Sequence, residues 1–458
     1  MSSLRRTLGL WDLVFFNVAA ILGLRWLSTA AQIGPSSLVL WFLAMLVFFV
    51  PLGLIVTELS TRLPGEGGIY LWAKEAFGPF HGFIAGWTYW VNNLFYYPAL
   101  LLFIAGAFLY IFGDALIDLE DNALYNAAFS LVLLWVVIGL NVVGLDRGKW
   151  VQNIGGAAKW VVFVLILIFG TWSVVEYGSS VEFTPATMMP TFDFSTITFV
   201  ATMTFAFAGF ELAPVMSGEI KDPGRSLPRA MLISGISISV IYMVGTAFVL
   251  VALPEGEVNV ITGIPQAFAA IGDRLALPFL ASVGALLILF ASSGGLGAWI
   301  AGAARMPFVI GIDRYLPKAL GDIHPKYGSP HKALIVTGVL TTVLMLAAVA
   351  GATIEEAYIL LVDMAIILYF IPFLYLFIAL PVLQNKGVGD GGDLLAVPGG
   401  KVVTLILCVL GFTATLFSII LAMIPPEGTE SPGLFVIKIV GGTLLFLGAG
   451  LAFYWRGK

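Results

Sequence analysis

Phe15-Phe16-Asn17-Val18-Ala19-Ala20-Ile21-Leu22-Gly23-Leu24-Arg25-Trp26-Leu27-Ser28 opens as an apolar helix and then sets a glycine and an arginine where the run should stay apolar. Phe205-Ala206-Phe207-Ala208-Gly209-Phe210-Glu211 interrupts a second apolar run in the same manner. In a bilayer each unpaired backbone group costs several kcal/mol, so a charged, glycine-bearing interruption persists only where it lines a protein cavity. Two such breaks at corresponding places are the sequence pointer to inverted repeats that share a midplane site. The reading is an all-α integral membrane protein whose first and sixth helices are discontinuous.

Composition supports the membrane assignment. Of 458 residues, 60% are hydrophobic and 11% charged, with a mean hydropathy of +1.01, far from a soluble globular domain. Apolar runs long enough to span a hydrocarbon core recur from Trp11 to Tyr454, and twelve are expected, beginning near Leu10, Ser37, Gly82, Leu124, Val151, Thr196, Ala230, Leu277, Ala333, Ala357, Val402 and Leu434. The first follows Arg5 and Arg6 but is long and lacks a small-residue cleavage site, so it reads as a retained helix rather than a signal peptide.

Most of the 22 lysines and arginines fall in the termini and in alternate loops on one side. Arg274 and Lys438 fall on the other, and Arg25 and Lys159 are left inside the bilayer. The positive-inside rule therefore expects both termini in the cytoplasm and a multi-pass protein of the cytoplasmic membrane. The opposite loops are acidic, as at Glu427 to Glu430.

The lone Cys408 excludes an intramolecular disulfide. His81, His324 and His331 sit at helix ends or loops, which leaves no metal site within the membrane. A net charge of -5 without a basic tail points away from nucleic acid. No Gly-x-x-x-x-Gly-Lys phosphate loop, HExxH or Gly-x-Ser-x-Gly is present, so neither ATP-driven pumping, nor enzymatic chemistry, nor a cofactor is expected.

No long linker divides the chain, and 1-458 reads as one transmembrane domain. Its halves are approximately 10-176 and 195-383, followed by two helices over approximately 401-455 beyond the glycine-rich Gly387 to Gly400. Five helices per half is odd, so the second half must insert upside down. Gly82 and Gly86 form a GxxxG spacing expected to serve close helix packing.

Three segments resemble one known family. Glu58-Leu-Ser-Thr-Arg-Leu-Pro-Gly-Glu-Gly-Gly-Ile-Tyr70, Ser217-Gly-Glu-Ile-Lys-Asp-Pro-Gly-Arg-Ser-Leu-Pro-Arg-Ala230 and Gly311-Ile-Asp-Arg-Tyr-Leu-Pro317 running to His324-Pro-Lys-Tyr-Gly-Ser-Pro330 are similar, in order and spacing, to the amino acid, polyamine and organocation (APC) superfamily of permeases. The flavour is closest to its bacterial amino acid and polyamine permeases and antiporters, with some similarity to plant polyamine carriers. The resemblance implies the LeuT-like five-plus-five inverted repeat. At the break of helix 1 the family usually carries Gly-Ser-Gly, whereas Gly23-Leu24-Arg25 stands here, which leaves the substrate open.

A zwitterion needs anionic and cationic recognition close together, and a broken helix offers both. Free carbonyls end its first half and free amides begin its second. The carbonyls of Ile21, Phe205, Ala206 and Ala208 are expected to take an ammonium, and the amides of Gly23, Leu24 and Arg25 a carboxylate, with Gly209 completing the second wall. Arg25 must have a partner or a ligand. It reads an acidic group on the substrate, or pairs internally with Glu211 or Asp363, or turns out of the site. Of Asn92 and Asn93, polar at membrane depth, Asn93 is expected to face the cavity.

The resemblance assigns further roles. Lys159 matches the buried lysine of proton-coupled members, although a lysine near a helix end can also snorkel to the interface. Glu211 matches an acid linked to gating or proton sensing, with capping or pairing to Arg25 as the bland alternative. Phe205 matches an aromatic that closes over substrate, and Trp299 a mid-membrane aromatic gate. Asp363 replaces a small polar residue and either carries a proton or forms a structural ion pair. The expected function is secondary active transport of amino acids or related small amines by alternating access, coupled to protons or to exchange, as a monomer or homodimer. A polyamine or organocation carrier is the alternative, and a membrane sensor that binds without transporting would leave the same sequence.

Overall fold

Residues 7–457 are described by a computed structural model, except 66, 192–193, 216–219, 314, 351–352, 390–393 and 426–430. Arg5, Arg6, the acids at 427 and 430, Arg314 and Ser217 to Glu219 thus lie outside the described residues.

The described chain is helical, with one isolated bridge between Leu8 and Ile220. The helices are α1 (Leu10–Ile21), α2 (Arg25–Ala31), α3 (Ser36–Arg62, with a π turn at Met45–Phe49), α4 (Ile69–Phe77), α5 (Pro79–Leu109), α6 (Ala123–Val143), α7 (Leu145–Tyr177), α8 (Phe194–Ala206), α9 (Leu212–Val215), α10 (Pro223–Ala252), α11 (Gly263–Arg274), α12 (Phe279–Ala303), α13 (Arg305–Ile312), α14 (His331–Ala350), α15 (Ile354–Lys386), α16 (Gly400–Leu421) and α17 (Pro432–Gly457).

Among the described residues ten helices are long and apolar enough to cross a membrane, and α1 with α2, bent by 44° at their break, can form an eleventh. Twelve were expected from the hydrophobic runs. The difference falls on the sixth run: the interruption after Ala206 leaves α8 with 13 residues and α9 with four, each too short to span by itself.

Local chemistry explains several boundaries. Thr353 and Glu356 cap α15 reciprocally, the Thr353 hydroxyl accepting from the Glu356 amide at 3.2 Å, and the helix stops at Gly387 with φ +66°. α1 stops because Leu22 turns extended. α8 stops before Gly209, whose φ of +132° is closed to most residues.

α5 is almost wholly buried and packs along α15, α4 and α12 at the centre. α16 and α17 lie outside, and their exposed Val402, Leu405, Leu444, Leu445 and Trp455 suit lipid. Glycines set the closest approaches. A Cβ on Gly155 of α7 would lie 2.5 Å from the Cα of Gly294 on α12, and one on Gly156 or Gly295 would lie 2.6 Å from a carbonyl oxygen of α1. α1, α7 and α12 therefore touch backbone to backbone, which carries Lys159 to the end of α1. Gly82 and Gly86 do the same for α5 against Lys74 and Tyr70 of α4.

The end of the bundle where α3 finishes is clasped by polar bonds. Glu58, fully buried, pairs with Arg62 at 2.8 Å and accepts from Gln384 Nε2 at 2.8 Å and from the Val397 amide at 2.7 Å. Lys74 pairs with Asp313 at 2.5 Å, and the Tyr70 hydroxyl bonds to the same carboxylate.

Candidate functional site: two facing helix breaks

The ends of α1 leave backbone groups without intrahelical partners, and in this chain side chains from three other helices supply them. Lys159 of α7 donates to Val18 O at 3.1 Å, to Ala19 O at 2.6 Å and to Leu22 O. Trp299 of α12 donates through Nε1 to Ala20 O at 2.8 Å. Tyr242 of α10 places its hydroxyl 2.8 Å from Ile21 O and 3.0 Å from the Gly23 amide, which donates to it.

The same hydroxyl lies 2.8 Å from Ala206 O, so one phenol joins the two breaks. It has a single proton and can donate to only one carbonyl at a time. The breaks also touch directly. A Cβ on Gly209 would stand 2.8 Å from Ile21 Cγ1 and 3.5 Å from the Trp299 ring.

These contacts revise the expected division of labour. Of the four carbonyls assigned to an ammonium, Ile21 O and Ala206 O face Tyr242, and Phe205 O accepts the Ala208 amide at 3.0 Å. Each keeps at most its second lone pair. On the donor side the Gly23 amide is taken by Tyr242, whereas the Leu24 amide has no acceptor.

Arg25 is 1% exposed and makes no ion pair among the described residues, with Glu211, Asp363 or any other acid. Its Nε and both terminal nitrogens lack an acceptor at hydrogen-bond geometry. Aromatic faces surround it instead, with the guanidinium carbon 4.1 Å from the centroid of Trp26, 4.7 Å from that of Tyr96 and 5.8 Å from that of Tyr358. The internal ion pair is therefore set aside, and so is a side chain turned out of the protein. A void of about 10 Å³ beside Arg25, bordered by Gly23, Leu24, Tyr96 and Lys159, has room for one water.

Glu211 bonds elsewhere. One carboxylate oxygen accepts from Tyr89 at 3.0 Å and from Tyr369, while the other is buried without a partner. Asp363 lies on the far side of the aromatic layer. With Glu355, Thr29, Gln32 and the rings of Trp26 and Tyr358 it lines a cleft of about 270 Å³, so Trp26 and Tyr358 stand between that cleft and Arg25. Phe205 meets Trp26, Tyr96, Tyr369 and Phe370 edge to face at 5.4–6.0 Å, and Trp299 packs 5.1 Å from Tyr96. Asn93 does not join this group. Its amide donates to Tyr89 O, one turn back in α5, at 2.7 Å, and no hydrogen bond links it to either break.

The structure thus brings together Ile21, Gly23, Leu24, Arg25, Lys159, Phe205, Ala206, Ala208, Gly209 and Trp299, and leaves Glu211, Asp363 and Asn93 around them. Sequence reasoning missed Tyr242, Tyr96, Tyr358 and Trp26. For Tyr242 a signal was present: a phenol deep in the apolar run of α10 needs a buried partner.

The chain matches the amino acid permease family over residues 8–445. It is 30% identical over 453 residues to an uncharacterised transporter of Legionella pneumophila, covering 98% of this chain and 96% of that one. It is 25% identical over 318 residues to a probable agmatine/putrescine antiporter of Lactococcus lactis (69% and 67% covered) and 26% identical over 348 residues to a serine/threonine exchanger of Bacillus subtilis (74% and 73% covered). With the helical membrane architecture and two facing helix breaks, this match over nearly its whole length places the chain in the amino acid permease family of membrane transporters.

Proposed function

We propose that this transporter is a secondary active carrier of amino acids or related small amines that works by alternating access, with the two facing breaks as its substrate site. The observation that carries the reading is Tyr242, one hydroxyl within reach of both interrupted helices. A pair of unwound segments cross-linked at membrane depth suits a site around which helices rock. We read α1 with α2 and α8 with α9 as discontinuous helices 1 and 6 of a twelve-span, five-plus-five inverted repeat, with both termini on the cytoplasmic side of the cell membrane.

The access geometry supports this reading. Gln384 and Glu58 sit in the clasp at one end of α15, whereas Glu355 and Asp363 line the cleft near its other end. On this reading the clasp crosses the end with the termini, and the cleft lined by Glu355 and Asp363 lies at the opposite end. Substrate passage then requires release of the bonds from Gln384 and the Val397 amide to Glu58 and of the Lys74–Asp313 pair.

Lys159 supplies a coupling device in this scheme. Its ammonium holds three carbonyls of α1, bonds that need the protonated form to be complete. Loss of the proton leaves two N–H donors for three carbonyls, so one of them is released and the hold on the end of α1 is weakened. Purified protein in proteoliposomes tests this with imposed pH and sodium gradients. Uptake of a labelled amino acid or amine, driven by the pH gradient or by exchange and lost from the pH-driven mode in Lys159→Met, is expected. Uptake driven by sodium and indifferent to the pH gradient refutes proton coupling, and no flux of any solute refutes the carrier.

A further inference from the structure

Polar groups at the two breaks are unevenly satisfied. The carbonyls of Val18, Ala19, Ala20 and Leu22 carry donors from the protein's own side chains, and Ile21 O shares the single Tyr242 proton with Ala206 O. Among the described residues the donors opposite them are less well met: the Leu24 amide has no acceptor, and the three buried guanidinium nitrogens of Arg25 have none at full hydrogen-bond geometry, with only the Tyr96 and Tyr358 hydroxyls close by. Lys159 adds a second cation beside the same small void, and the acid nearest the breaks, Glu211, has one oxygen held by Tyr89 and Tyr369 and the other buried without a partner. Asp363 and Glu355 are screened from Arg25 by Trp26 and Tyr358. The unmet capacity around Arg25 is for an anion.

We infer that the substrate is a net-anionic carboxylate, one carboxylate of which forms a two-pronged pair with the Arg25 guanidinium while it lies against Trp26 and Tyr96. This rests on the carrier reading and names its substrate class. A carboxylate matches the planar fork of arginine in shape, and the rings on either side exclude water that would weaken the pair. A purely cationic diamine meets an unpaired arginine and carbonyls already bonded to lysine, tryptophan and tyrosine. A neutral amino acid satisfies the arginine but leaves its ammonium short of acceptors.

Uptake into proteoliposomes tests the inference with three labelled probes: succinate as the anion, L-serine as the zwitterion and putrescine as the cation. Wild-type protein is expected to carry the anion in preference to the other two. Arg25→Met should lose about 10- to 100-fold of anion uptake, the size expected for a charge-assisted bidentate contact. Arg25→Lys, which keeps the charge without the fork, should fall between, chiefly through KM. A monodisperse elution profile and an anion-induced thermal shift in wild type but not in Arg25→Met separate lost binding from lost folding. Anion uptake undiminished in Arg25→Met overturns the inference. So does uptake confined to serine or putrescine, which leaves the carrier reading standing. Failure of all three probes in wild type overturns the inference, and the carrier reading falls only if no other amino acid or amine is carried either.

Discussion

Replacing Arg25 by methionine removes a charge from the interior while keeping an unbranched, polarizable side chain among the same rings. The net effect on stability comes from two opposing quantities. A charged side chain at mid-membrane costs about 2.5–3.5 kcal/mol on insertion scales, and the substitution recovers that cost. Against it stand the ring contacts at 4.1 and 4.7 Å, while the third, at 5.8 Å, is at the limit of range. At about 1–2 kcal/mol for each desolvated cation–π contact, the two nearer ones are worth roughly 2–4 kcal/mol. The terms nearly cancel, so Arg25→Met should change stability by no more than about 1 kcal/mol in either direction. An arginine with a buried acidic partner behaves differently, because its removal strands the acid at a cost of about 3–5 kcal/mol. Thermal unfolding in detergent or nanodiscs distinguishes the cases. A shift within about 4 °C of wild type is expected, and a drop beyond about 6 °C would mean that Arg25 holds the fold through a carboxylate and refute the reasoning.

The opposite result is expected for Glu58→Gln, which removes the buried carboxylate that pairs with Arg62 and accepts from Gln384 and the Val397 amide: a loss of about 3 kcal/mol, read by the same thermal unfolding. Tyr242→Phe should cost about 2–4 kcal/mol, because the Gly23 amide and one carbonyl each lose a partner in a dry site. Proteoliposome flux should fall with it, and an unchanged flux would remove Tyr242 as the link between the breaks. Gly209→Ala should be destabilised by roughly 1–3 kcal/mol through its left-handed backbone alone, with the 2.8 Å contact to Ile21 in addition, and its uptake should drop. Wild-type behaviour of that variant in both assays would show that the break at Gly209 tolerates another geometry.

Legibility in the sequence followed the range of the forces involved. Where the helices run was set by long apolar stretches, and where they break was set by glycine and charge inside those stretches, both local signals. The family loops were legible for the same reason: Glu58 and Arg62 are four residues apart on one helix and meet by spacing alone. Partner choice was not legible. Arg25 suggested an acid, since an isolated charge in lipid needs compensation, yet it meets Trp26 beside it in sequence and Tyr96 and Tyr358 from distant helices. Nothing in the spacing distinguishes a tyrosine that packs from one that faces a cation. Tyr242 lies more than two hundred residues from Gly23, roughly as the sequence separation of 219 requires, and only the crossing of α10 behind α1 unites them.

The charge pattern at the breaks has a further physical consequence. An unwound helix at membrane depth is stable only if its orphaned carbonyls are satisfied when substrate is absent as well as when it is bound. In this chain a lysine, a tryptophan and a tyrosine do that work from α7, α12 and α10, so the carbonyl end of α1 needs neither a bound ion nor a substrate ammonium. The donor end is left open, since neither the Leu24 amide nor Arg25 has an acceptor. A binding site that is satisfied at its negative end and unsatisfied at its positive end gains most from a ligand that brings acceptors. If the breaks hold the substrate, as proposed above, selection is set less by which backbone groups the breaks expose than by which of those groups this chain's own side chains have already used.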